Sequence, residues 1–140
     1  MRALIDSGVW WNRYHGLPMH SGLVAALETV TEWNLCPLSI EEMLFKWRHK
    51  NKTLPAPDPE TWLADSLQGY RPALLTFESA QVAGLWEWKH GDPVDRALAA
   101  IAKVEGLTLI HTDTTLKDLP GFPQRYFPNV LKNPSAQAGA

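Results

Sequence analysis

Short apolar runs alternate along this chain with stretches whose apolar residues recur at helical spacing. Arg2 to Ile5, with the preceding Met1, reads as a hydrophobic strand ending in Asp6, and Ser7 to Tyr14 as a first helix. Leu23, Val24, Leu27 and Val30 share one helical face, which predicts a helix within His20 to Trp33. Leu35 to Leu38 is a second apolar run. Ser39 then reads as a helix N-cap, with Glu42 three residues on as its capping-box partner. The helix that follows carries Met43, Leu44 and Trp47 on one side and ends in basic residues: Arg48, His49, Lys50 and Lys52. Leu54 to Pro59 is a proline-rich loop, and Asp58-Pro59-Glu60 places proline at the first position of a helix running to about Leu67. Ala73 to Phe77 reads as a short strand and Glu78 to Glu87 as a helix. Asp92-Pro93 starts a further helix, which Gly106 stops after Glu105. Leu107 to Ile110 is a buried-strand candidate, and Gln124 to Phe127 a last edge strand. This alternation predicts an α/β fold: a central, mostly parallel sheet with helices on both faces.

A chain of 140 residues fits one domain. We expect it to occupy residues 1–128, with 129–140 as a flexible or weakly docked tail. There is no apolar run long enough to span a membrane and no secretory-type leader before Asp6, so a cytoplasmic protein is expected. The single cysteine, Cys36, excludes an internal disulfide framework and cysteine-rich zinc sites, and reads as a small buried residue in a strand. The formal net charge of −2 argues mildly against a non-specific nucleic-acid binder. A local basic face can coexist with that total, and bound divalent cations reverse the field at a carboxylate site. The seven tryptophans read mainly as core or partner-contact residues.

The acids carry the candidate chemistry. Asp6 follows the first strand, and Asp113 follows the strand that ends at Ile110. In an open parallel sheet ligands bind beyond the carboxyl ends of the strands, where both acids fall. Glu42 lies in the first turn of a helix after the second apolar run, at the same edge. Asp95 lies in the first turn of a helix that precedes an ascending strand, and its place in the crevice does not follow from pattern alone. Carboxylates converging there would repel one another unless a cation neutralised them, and carboxylate oxygens with water are the ligand set of Mg²⁺ or Mn²⁺. Each acid also has a purely structural reading. Asp6 suits a strand-end turn, Glu42 a capping box, Asp92 and Asp95 the start of a helix, and Asp113 the cap of a following one.

Four stretches together resemble the PIN-domain family, and especially the toxin ribonucleases of bacterial VapBC toxin–antitoxin pairs. They are Leu4-Ile5-Asp6-Ser7; Ser39-Ile40-Glu41-Glu42 with Lys46 four residues on; His90-Gly91-Asp92-Pro93-Val94-Asp95-Arg96; and Glu105 to Asp113. The third is the most specific. The resemblance covers about residues 1–127 and implies a three-layer α/β/α sandwich and hydrolysis of RNA by metal-activated water. By position it implies a catalytic pocket of Asp6, Glu42, Asp95 and Asp113 holding Mg²⁺ or Mn²⁺. Asp6, Asp95 and Asp113 would be direct ligands, and Glu42 would ligate through water or position and deprotonate the nucleophile. Asp92 would be an accessory fifth acid, and Ser7 would hydrogen-bond an acid or a metal-bound water. Arg96 would pair with Asp92 or meet a phosphate. The chain departs from the family at Gly8, often Asn or His; at His111, often Thr or Ser; and at Asn51-Lys52, often Gly-Lys.

Arg48, Lys50 and Lys52 are candidate RNA-phosphate contacts, although cations at a helix end also simply complement its dipole. Trp10 and Trp11 suit base stacking, the core or a protein contact. His90 reads as a loop or structural histidine. The implied partners are an RNA substrate, a small antitoxin that fills the pocket or the groove beside it, and a second copy of the chain in a homodimer. Two other readings stay open: a non-catalytic interaction module that kept the fold, and a nuclease acting on DNA.

Overall fold

The computed structural model describes residues 1–49, 54 and 56–135. Among them are five strands and six α-helices. The strands are β1 (Arg2–Ile5), β2 (Glu32–Leu35), β3 (Tyr70–Pro72), β4 (Thr108–His111) and β5 (Gln124–Tyr126). The helices are α1 (Ser7–Tyr14), α2 (Ser21–Leu27), α3 (Pro37–His49), α4 (Leu63–Ser66), α5 (Phe77–Leu85) and α6 (Pro93–Glu105). All strand pairs are parallel, in the order β3-β2-β1-β4-β5. The expected sandwich is therefore what the chain forms.

That order explains the layers. From β1 the chain steps outward through β2 to β3, then returns to lay β4 on the other side of β1. Right-handed crossovers put helices on one face for the outward steps and on the opposite face after the reversal. Period-two alternation divides the core accordingly. Ala3, Ile5 and Ile110 face Val9, Trp10, Trp11, Leu23, Met43 and Trp62 from the first three helices and the turn before α4. Leu4 and Leu109 face Leu98, Ile101 and Ala102 of α6. Trp10 and Trp11 are each 1% exposed, which assigns them to the core and removes the base-stacking reading.

Several boundaries differ from expectation for local reasons. The helix expected within His20 to Trp33 stops at Leu27, and Trp33 lies in β2. Thr29 Oγ1 donates to Ala26 O, and the Thr31 N–H donates to Met1 O, which begins strand pairing. α3 starts at Pro37, so Ser39 sits inside its first turn, buried, and the Ser39–Glu42 capping box does not form. The third strand is Tyr70–Pro72 rather than Ala73–Phe77, because Thr76 and Ser79 form a capping box that starts α5. Pro72 is tolerated in β3 because that strand is an edge. Cys36 is buried, but just past β2 rather than within it. The start and end of α6 are as expected. The Asp92 side chain accepts from the Val94 and Asp95 N–H groups, and Gly106 adopts the left-handed conformation (φ 66°) that ends the helix. Of the proposed tail, Val130 is buried, and residues 136–140 lie outside the described part.

Candidate active site

The reversal of strand order falls between β1 and β4, which is where a doubly wound sheet opens a crevice at its carboxyl edge. Ile5 and Ile110 are paired there, and the Asp6 N–H donates to Ile110 O at 3.1 Å. Asp6 therefore stands beside the end of β4, three residues before Asp113. Asp95 reaches the same place for a reason the pattern did not supply. A helix crossing between parallel strands runs against them, so its first turn lies at the carboxyl edge. Asp95 consequently acts electrostatically on Asp6, and a carboxylate oxygen of it lies within 4.8 Å of one of Asp113. Glu42, in the second turn of α3, acts on Asp6 as well. The structure thus gathers Asp6, Glu42, Asp95 and Asp113.

The four are held differently. Glu42 accepts from Ser7 Oγ at 2.8 Å and lies 3.7 Å from Lys46 Nζ. Asp113 accepts from the N–H groups of Thr115 and Leu116 at 2.7 and 3.4 Å. Burial tends to raise its pKa, but these donors and the bond to Asp95 outweigh it and hold the carboxyl below its usual range. Asp6 sits at the N-cap position of α1, yet its side chain makes no capping bond. Burial first, then Asp95, Glu42 and Asp113, push its pKa up to about 7, against only the Ser7 N–H. Asp95 is pushed up to about 6 by burial, with Asp92 and Asp113 adding to it and the bond from His90 opposing.

A divalent cation suits this donor set. His90 Nε2 and carboxylate oxygens of Asp95 and Asp113 all lie within 4.8 Å of one another. Opposite ligands of an octahedral Mg²⁺ stand about 4.2 Å apart, so a small contraction would bring these three atoms to ligand spacing, with the other positions left to water or further acids. The raised Asp6 and Asp95 carboxyls mark where positive charge would be most stabilising.

The accessory residues separate. Ser7 serves the site through Glu42. Asp92 is exposed and occupied in capping α6. Arg96 neither pairs with Asp92 nor points at the crevice. Its guanidinium donates to the carbonyls of Ala83, Trp86, Trp88 and His90 at 2.6–3.0 Å and so ties down the loop between α5 and α6. That loop presents His90, whose Nε2 is 2.8 Å from Asp95 Oδ2. Sequence reasoning left His90 out of the site, although it lies in the same seven-residue motif as Asp95. His111 is wholly buried. Its Nδ1 accepts from the Asp113 N–H and its Nε2 meets Gln124 Oε1, so both ring nitrogens are engaged in holding the strand end. Gly8 borders Asp6, and a Cβ there would stand 3.9 Å from Asp6 Oδ2, an ordinary contact. Arg48 is exposed in the last turn of α3, while Lys50 and Lys52 lie outside the described residues. Beside Glu42 runs an apolar groove of about 290 Å³, lined by Leu38, Phe45 and Val94 with Glu41 and Lys46.

Residues 3–121 match the family model of the PIN domain. A search by sequence among curated proteins returned no match. Among solved structures, the chain is similar to one in the VapBC2 complex from Rickettsia felis bound to a DNA fragment from their promoter. The TM-score is 0.66 at 12% identity, covering 90% of this chain and 98% of that one. It is also similar to a chain of a toxin–antitoxin complex from Klebsiella pneumoniae, with a TM-score of 0.64 at 17% identity, covering 91% and 99%. At these identities the two likenesses are of fold.

Proposed function

The chain belongs to the PIN-domain family, and we propose that it is a Mg²⁺- or Mn²⁺-dependent endoribonuclease, the toxin half of a toxin–antitoxin pair. The observation that carries this reading is the convergence of Asp6, Glu42, Asp95 and Asp113 at the strand-order reversal, with the Asp6 and Asp95 carboxyls pushed up to about 7 and about 6. When bound, the cation supplies charge at the scissile phosphate and a water acidic enough to lose its proton near neutral pH. Asp6, Asp95 and Asp113 hold it. Glu42, oriented by Ser7 and Lys46, receives the proton of the attacking water. Asp92 and Arg96 act one step back, by fixing the start of α6 and the loop before it.

The partners follow from the same reading. Both similar structures are of toxin–antitoxin complexes, and the apolar groove beside Glu42 suits a segment of an antitoxin. A homodimer is supported by the apolar face of α5, where Phe77 and Leu85 are 91% and 80% exposed. No helix among the described residues is long and apolar enough to cross a membrane, in keeping with a cytoplasmic site of action. The domain is taken as residues 1–128. Arg48, exposed in the last turn of α3, is assigned to substrate phosphates together with Lys50 and Lys52, all three from the sequence.

The test is cleavage of an RNA panel, with a DNA panel alongside, in Mn²⁺, Mg²⁺ or chelator. Metal-dependent cleavage of RNA that is lost in Asp6→Asn and in Asp95→Asn is expected. Cleavage unchanged in both variants, or confined to DNA, sinks the proposal.

A further inference from the structure

The motif His90 to Arg96 contains two residues whose placement the four-acid pocket does not account for: a histidine against an acid, and an arginine that touches no acid. Resting on the metal-nuclease reading above, we propose that His90 is a direct nitrogen ligand of the active-site cation, and that it tilts the site toward Mn²⁺ over Mg²⁺.

Position is the first argument. Neighbouring ligands of an octahedral ion at about 2.1 Å stand about 3.0 Å apart. His90 Nε2 and Asp95 Oδ2 are 2.8 Å apart, hydrogen-bonded through a proton that metal binding would release, which leaves two ligand atoms at the spacing of one edge of such a shell. Asp113 offers the third atom of the same group.

Preorganisation is the second. A histidine on a free loop would lose much of its binding to the cost of ordering it. Here Arg96 spends its guanidinium on three carbonyls of that loop, one of them His90's own, and on the Ala83 carbonyl in the last turn of α5. Trp86 and Trp88 stack on each other at 3.9 Å between ring centres, and the Arg96 guanidinium lies over the Trp88 ring. The arginine therefore serves the site by holding the histidine. The His90 side chain is left 18% exposed, with Nε2 turned to the acids.

Exclusion of the alternative is the third. His111 also lies beside Asp113, but both of its ring nitrogens are engaged, by the Asp113 N–H and by Gln124. It has no lone pair to give. Of the two histidines at this end of the sheet, only His90 has a ring nitrogen aimed into the carboxylate group. Ligand chemistry then sets the preference. Mg²⁺ favours oxygen ligands throughout, whereas imidazole suits transition metals, among which Mn²⁺ is the weakest member.

The experiment is Mn²⁺ added to the purified full chain, read by pulsed electron paramagnetic resonance and by calorimetry against Mg²⁺. A nitrogen hyperfine coupling is expected that changes when histidine alone is labelled with ¹⁵N. His90→Gln should abolish it and lower the Mn²⁺-to-Mg²⁺ affinity ratio about tenfold. Mn²⁺ binding with no histidine coupling in the unsubstituted chain overturns the ligand role and leaves the nuclease reading standing. That measurement holds whether or not the variant folds. A coupling that persists in a folded His90→Gln also overturns it. No Mn²⁺ binding at all overturns this inference and the nuclease reading together.

Discussion

Asp6 and Asp113 occupy matching places, each just beyond the carboxyl end of a strand, on two strands that are neighbours in the sheet. Their carboxyl groups nevertheless have opposite tendencies. Asp113 is met by two backbone N–H groups of the turn that follows it, and its pKa is held down. Asp6 precedes a helix without capping it and is surrounded by three other acids, so its pKa is driven up to about 7. The protein's own backbone supplies the counter-dipole at one strand end and leaves it lacking at the other. The lesson is that a cation has most to gain at Asp6, while Asp113 is an already ionised anchor.

The contrast is most sharply tested by removing each carboxylate in turn. Asp6→Asn and Asp113→Ala should each lower RNA cleavage about 10³-fold, equivalent to about 4 kcal/mol of lost transition-state stabilisation. Their effects on the metal-free fold should have opposite signs. In chelator at pH 8, Asp6→Asn should raise stability by about 1–2 kcal/mol, after allowing for the water this group still meets. Asp113→Ala should cost about 1 kcal/mol through its lost cap. Thermal denaturation reads both, and shifts of the same sign would break the comparison.

Removing Arg96 is expected to have a comparable effect on stability, through the loop between α5 and α6 that presents His90 to Asp95. Arg96→Ala leaves four carbonyls without their donor and should cost about 2–4 kcal/mol, measured by urea denaturation. Arg96→Lys should recover less than half, since one ammonium cannot span the fork. Full recovery by lysine would mean that charge, not geometry, holds the loop.

Dependence on pH is the gentlest probe. Asp6 and Asp95 have folded pKa values of about 7 and about 6, against an ordinary value of 3.8. Between 3.8 and 7 the folded state keeps protons that the unfolded state has released. The contribution of these two carboxyls to the stability of the metal-free protein should therefore be fully present below about pH 4, fall as pH rises, and level off above about 7, against the opposite trend of His15 and His111, whose burial lowers their pKa. Metal affinity should rise over the same window, because binding must displace those protons. The difference between the denaturation midpoints of the unsubstituted chain and Asp6→Asn, taken in chelator from pH 5 to 8, checks the first trend, and a gap that does not widen in favour of the variant as pH rises would contradict it.

Much of this was legible in the sequence where one local rule decides the outcome. The Asp92 cap, the proline after it and Gly106 fix α6 at both ends, and the structure agrees with them. The apolar run before Asp6 made β1 plain. Legibility failed where tertiary pairing overrides periodicity. Val30 keeps helical spacing with Leu27, yet the Thr31 N–H is claimed by Met1 O and the chain turns to strand. Ser39 has the form of a cap, but Pro37 begins the helix two residues earlier. At the site, Asp6 and Asp113 were placed by the strand-end rule alone. Asp95 needed the direction of a crossover helix. His90 and Arg96 needed side-chain trajectories, because a histidine five residues before an acid has no fixed bearing on it until the intervening loop is folded.

Cys36 gives the molecule a built-in clock. Its thiol is wholly buried and its ionisation suppressed by that burial, so it reacts only when the segment around it opens. It lies between β2 and the helix that carries Glu42, at the sheet edge where the acids gather. Labelling of this one sulfur therefore times the rare excursions of that edge away from closure. Ligation that draws the acids together should lengthen the interval between them, so a simple thiol reagent reads how tightly the pocket is sealed.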